Sequence, residues 1–103
     1  MNRDRRIHNR KYVQLLVQHQ PIDAAVASID YASDLSIGGL FIATKSPLPA
    51  MTRFQVQFSP SRDERMITAD CEVTHVKSTG MGVRFQSIDA ASVKLIDSLV
   101  RVH

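Results

Sequence analysis

Three short clusters carry the polar chemistry of this chain. Arg5-Arg6-Ile7-His8-Asn9-Arg10 packs three guanidinium groups into six residues. Asp34-Leu35-Ser36-Ile37-Gly38-Gly39 sets a carboxylate, a hydroxyl and a glycine at the spacing of a tight turn. Gly80-Met81-Gly82-Val83-Arg84-Phe85 has the composition of a hairpin running into a strand. Charge singles out the first cluster. The chain is +3 overall, yet residues 1–11 hold five bases (Arg3, Arg5, Arg6, Arg10 and Lys11) against one acid, Asp4. The other residues hold eight bases and nine acids. All the positive excess therefore lies in one segment, which points to an anionic partner meeting that segment and not a basic face spread over a whole fold.

The elements that must position these clusters follow from periodicity. Residues 1–10 are polar and have no apolar period, which predicts a flexible arm. From Lys11 the pattern alternates, with Val13, Leu15 and Val17 against Gln14, Leu16 and Gln18. Gln20-Pro21-Ile22-Asp23 reads as a turn. Ala24–Ser33 alternates again, with Ala25, Ala27, Ile29 and Tyr31 on one side and Val26, Ser28 and Asp30 on the other. Asp34–Gly39 reads as a polar bend. Leu40–Thr44 reads as a short strand, Lys45–Met51 as a loop holding Pro47 and Pro49, and Arg53–Ser59 as a strand presenting Phe54, Val56 and Phe58. Met66–Lys77 is a long strand with Ile67, Ala69, Cys71 and Val73 on one side; its phase slips near His75-Val76, the mark of a bulge. Met81–Phe85 is a further strand. The period then changes: Ile88, Val93, Ile96, Leu99 and Val100 fall on one helical face, with Ser87 or Asp89 as the N-cap. Six strands followed by one helix predict an all-β domain. Antiparallel strands of this length close into a small barrel that leaves no edges exposed. The expected layout of this single domain, 1–103, is arm 1–10, barrel 11–87 and helix 88–102.

Joined in this order, the three clusters resemble the PilZ domain, a bacterial family of cyclic di-GMP receptors. The family's R-x-x-x-R matches Arg6 and Arg10. Its [D/N]-x-S-x-x-G matches Asp34, Ser36 and Gly39. Its late G-x-G-V-x-F element matches Gly80, Gly82, Val83 and Phe85. The resemblance runs from Arg5 to the C-terminal helix. It implies a six-stranded antiparallel barrel with a C-terminal helix, and a ligand clamped between arm and barrel. The physics agrees. Arginine forks onto guanine O6 and N7, or onto a phosphate, with two parallel hydrogen bonds, and its plane stacks on a purine. Arg6 and Arg10 are the primary contacts on this reading. Asp34 accepts from guanine N1–H and N2–H2. Ser36 bridges to the ligand or braces the loop, and Gly39 serves a close approach or a positive φ. Arg5 adds a third guanidinium, which favours a stacked pair of ligand molecules.

Other residues read as structural. Gly80, Gly82 and Phe85 belong to the hairpin and core, Arg84 to an outward strand position, His8 to a spacer, and Tyr12 and Tyr31 to packing. His19, His75 and His103 share no metal-ligand spacing, so no metal or other cofactor is expected. Cys71 is the sole cysteine, which suits a reducing cytoplasm and a buried thiol. No run approaches the ~18–20 apolar residues that span a bilayer, and no apolar stretch follows the basic N-terminus as in a signal peptide. The chain is read as cytoplasmic and not inserted in a membrane. No nucleophile–base pairing or paired catalytic carboxylates stand out, so an enzyme is not expected. The expected function is a cyclic di-GMP sensor that signals to a downstream protein. The alternatives are a PilZ-like module acting through protein contacts without ligand, and a small barrel binding single-stranded nucleic acid. The last needs exposed aromatics, whereas Phe41, Phe54, Phe58 and Phe85 are expected in the core; no DNA partner is expected.

Overall fold

The computed structural model describes residues 10–21, 28–59 and 65–101. Alternating apolar residues drive six strands: β1 (Arg10–Pro21), β2 (Ser28–Ser36), β3 (Gly39–Ala43), β4 (Arg53–Phe58), β5 (Ile67–Lys77) and β6 (Gly80–Ser87). They form a closed antiparallel barrel in the order β1-β2-β3-β6-β5-β4, followed by one helix, α1 (Ala90–Arg101). Closure depends on β1, which pairs with β2 from Arg10 to His19, with a register shift between Tyr12 and Leu15, and with β4 through Val17–Pro21.

The interior is filled as the period-2 pattern requires. Phe54, Val56 and Phe58 of β4 point inward, as do Ile67, Ala69, Cys71 and Val73 of β5. Val17, Leu35, Ile42 and Met81 complete the layer from the other strands. Each such large side chain withdraws apolar surface worth about 1.5–3 kcal/mol from water. Burial pushes the Cys71 thiol up to about 12, helped by the neighbouring Asp70 charge, so it stays protonated and packs as a small hydrophobe. At one end the inward row becomes polar: His19, buried, bonds through Nε2 to Asp30 Oδ2 at 2.9 Å and meets Phe54 edge-on at 6.0 Å.

Helix α1 caps the barrel with Ile96 and Val100, both buried. Asp89 is its N-cap: Oδ1 accepts from Ser92 N–H at 2.7 Å. Bonds from Ser92 hold the Asp89 carboxyl below its usual range, and Arg65 adds a weaker attraction at 3.3 Å. Among the described residues, no helix is long and apolar enough to cross a membrane.

Four local expectations change. β1 begins at Arg10, so the last arginine of the expected arm belongs to a strand, and it continues to Pro21 through part of the expected turn. Residues 22–27, where the second strand was expected to start, lie outside the described residues. Asp34–Ser36 is strand and not bend, because its backbone pairs on both sides; the turn is confined to Ile37-Gly38. Tyr31 does not pack. In β2 the inward face carries Asp30 and Ala32, leaving Tyr31 48% and Ile29 66% exposed, with Leu16 of β1 directly across from Tyr31.

Candidate functional site

Sheet register assembles the candidate residues. Arg10, Ser36, Gly39, Arg84, Glu72 and Arg53 are successive Cα partners across all six strands, one from each. The next line on the same face runs Tyr12, Asp34, Phe41, Gly82, His75. On the barrel's outer surface, where these lines cross β2, β3, β6 and β5, lies a groove of about 470 Å³, lined among others by Asp34, Ser36, Gly39, Phe41, His75, Lys77 and Arg84.

Two bulges aim side chains into it. In β2 the pairing shifts between Ala32 and Asp34, so Ser33 is an extra residue; Ala32 stays inside and Asp34 reaches the outer face. In β5 the shift lies between Val73 and His75, as the slipping phase foretold, and Thr74 is the extra residue. Val73 remains buried while Thr74 and His75 both face out. An unbulged strand would have turned His75 inward.

The wall nearest β2 is closed on itself. Ser36 Oγ accepts from Gly38 N–H at 3.2 Å and donates to the Gly39 carbonyl at 3.4 Å, so it braces the turn. Gly39 is demanded by a close approach: a Cβ there would overlap the Val83 carbonyl oxygen on the neighbouring strand. A positive φ, the other role expected of this glycine, is not found at Gly39.

The opposite wall consists of extended side chains. The His75 imidazole lies over Gly82, in the space a Cβ would occupy. Thr74 Oγ1 donates to the Gly82 carbonyl at 3.1 Å and sits 3.3 Å from His75 Nδ1. With its one proton given to the carbonyl, Thr74 has only lone pairs to offer Nδ1. The Phe41 ring lies 6.3 Å from His75 at 32°, with Lys77 Nζ 6.0 Å from its centroid. Arg84 Nη2 donates to Glu72 Oε1 at 2.7 Å, and Gln86 Nε2 donates to the same oxygen at 3.0 Å.

Of the six residues expected to hold ligand, Asp34, Ser36 and Gly39 line one groove, and Arg10 opens the strand beside Ser36. Arg5 and Arg6 lie outside the described residues. Phe41 corrects the expectation of a core residue: half-buried, it lines the groove because β3 faces it outward. Arg84 is outward as expected and also borders the groove. Sequence reasoning passed over Phe41, Thr74, His75, Lys77 and Arg84 as a group. The phase slip before Val76 and the glycine two positions before Arg84 were the available signals. Among the described residues, no three His, Cys, Asp or Glu side chains converge to hold a metal.

Comparison with known proteins agrees with this fold. The family model described as "PilZ domain" matches residues 4–101. The structure of the Bacillus subtilis inhibitor of motility (MotI/DgrA) is similar at a TM-score of 0.82 and 18% identity, over 95% of this chain and 50% of that one. The chain thus spans about half the length of that protein. The PilZ domain with c-di-GMP of YcgR from Escherichia coli is similar at a TM-score of 0.74 and 13% identity, over 95% of this chain and 90% of that one. At these identities the likeness speaks to fold. A comparison with curated protein sequences finds no match.

Proposed function

The chain belongs to the PilZ domain family, and on that premise we propose that it is a cyclic di-GMP-binding sensor module that passes the signal to a protein partner. The observation that carries this reading is the groove. The Asp34-x-Ser36-x-x-Gly39 motif forms one wall of an outward-facing groove, and the backbone of Arg10 is paired with Ser36 at its edge. The structural neighbour YcgR was solved with the same ligand.

On this proposal Arg6 and Arg10 fork onto the phosphates or guanine edges of the ligand. Asp34 accepts from guanine N1–H and N2–H2, a contact that phosphate-reading groups cannot make. Ser36 and Gly39 act by holding the turn, so that Asp34 is presented at a fixed height. Arg5 adds charge enough for a stacked pair of ligands. The ligand is bound and not turned over. The residues before Arg10 order on binding and create a new face for the partner. That ordering costs entropy, so affinity is moderate.

Titration calorimetry with cyclic di-GMP tests the reading. The parent binds; Arg6→Ala weakens binding roughly 5- to 150-fold, the value of one good bidentate contact. A stoichiometry of two ligands per chain supports the stacked pair, and one per chain removes it. Amide NMR of residues 3–9 follows the ordering, and an arm already rigid without ligand removes that step. A parent that does not bind leaves the protein-contact module as the better description.

A further inference from the structure

We infer that Arg84, held by Glu72, is a further ligand-binding residue of this groove and meets the ligand from across the Ser36–Gly39 turn, three strands from the Arg10 backbone; this rests on the nucleotide-binding reading above. The argument begins with register. Arg84 is the Cα partner of Gly39, and Gly39 of Ser36, and Ser36 of Arg10. Neighbouring strands stand about 4.8 Å apart, so the Arg10 and Arg84 backbones lie roughly 14 Å apart along the sheet. The Ser36–Gly39 turn lies between them. Because Gly39 carries no side chain, nothing on that position screens the Arg84 stem from the groove.

The second observation is how Arg84 is held. Its side chain is 59% exposed, while that of Glu72 is only 16% exposed. Glu72 Oε1 accepts from Arg84 Nη2 at 2.7 Å and from Gln86 Nε2 at 3.0 Å. A half-buried carboxylate bracketed by two donors is a fixed anchor. Guanidinium carries five N–H donors, and among the described residues Arg84 spends one of them, on Glu72. The others remain for a ligand with paired acceptors, either phosphate oxygens or guanine O6 and N7. Glu72 is a positioning residue: it takes up one edge of the guanidinium and restricts its rotamers before ligand arrives, which lowers the entropy lost on binding.

Cyclic di-GMP titrations of the full chain and its variants test this. Arg84→Ala weakens binding about 10-fold or more. Arg84→Lys keeps the charge but not the fork, and recovers only part of that loss. Glu72→Gln weakens binding by a smaller factor, and adding it to Arg84→Ala costs nothing further, since Glu72 acts only through Arg84. A 7-deaza cyclic di-GMP, which lacks N7, separates the two acceptor classes. If Arg84 reads guanine, the Arg84→Ala penalty shrinks with that analogue, because only the O6 contact is left to lose; if it reads phosphate, the penalty is unchanged. Parent-like affinity in an Arg84→Ala variant with a parent-like melting curve overturns the inference and leaves the proposed function intact. A Glu72→Gln penalty that persists without Arg84 overturns the positioning role. A parent that binds no cyclic di-GMP overturns both readings.

Discussion

The two walls of the groove are built on opposite principles. On the β2–β3 side the polar groups turn back on their own backbone: Ser36 bonds to Gly38 and Gly39, and Gly39 is packed against the Val83 carbonyl. On the β5–β6 side the polar groups are long, exposed and braced by one another: His75 rests on Gly82 and Thr74, and Arg84 on Glu72. The first wall is a rigid datum that sets where Asp34 stands. The second can move side chains without moving strands. Each wall contains a glycine, and the difference between the two is the sharpest test of the contrast. At Gly39 an added Cβ meets backbone; at Gly82 it meets an imidazole that can swing away.

The largest effect is expected at Gly39→Ala. The overlap with a main-chain oxygen can be relieved only by shifting β3 against β6. Overpacking of that kind costs about 3 kcal/mol, read as a drop of about 12 °C or more in melting temperature. A parent-like melt would mean the strand pair is not the rigid wall described. Ser36→Ala comes next. It removes two hydrogen bonds of the turn and costs about 1 kcal/mol, or about 4 °C, by the same measurement. The smallest effect on stability belongs to Gly82→Ala, within about 1 kcal/mol of parent, because the relief of glycine's backbone entropy offsets the displaced ring. Its signature lies elsewhere: the His75 ring proton resonances lose the shift imposed by Phe41. If Gly82→Ala melts below Gly39→Ala, the contrast between the walls fails.

The same contrast explains what could be read from the sequence. The braced turn is local. A serine and a glycine three residues apart bond within their own segment, so the motif reported the wall before any fold was known. The barrel strands were legible for a similar reason, since Phe54, Val56 and Phe58 repeat at period 2 and follow one another in the chain. The second wall was not legible, because it depends on register between strands far apart in sequence. Nothing near Arg84 says that it stands beside Gly39, or that Glu72 will hold it. Phe41 looked like a core residue because aromatics in short apolar runs usually are. It faces out because the pleat of β3 gives the interior to Leu40 and Ile42. Tyr31 erred in the same way, since alternation names two faces but not which is inside. The sequence around His19 does not announce its burial, because the contacts with Asp30 and Phe54 depend on β4 closing the barrel beside it.

The position of Arg10 has a mechanical consequence. It is the first residue of the strand that closes the barrel. Through Arg10–Tyr12 that strand is paired to β2 by way of Ser36–Asp34, and it meets β4 only from Val17 onward. A pull at Arg10 along the strand axis loads the β1–β2 rungs in shear, on both sides of the shift between Tyr12 and Leu15. A load applied that way strains every rung a little and unzips none. The seam that shuts the barrel, Val17–Pro21 against β4, thus lies several residues along the strand from its first rungs.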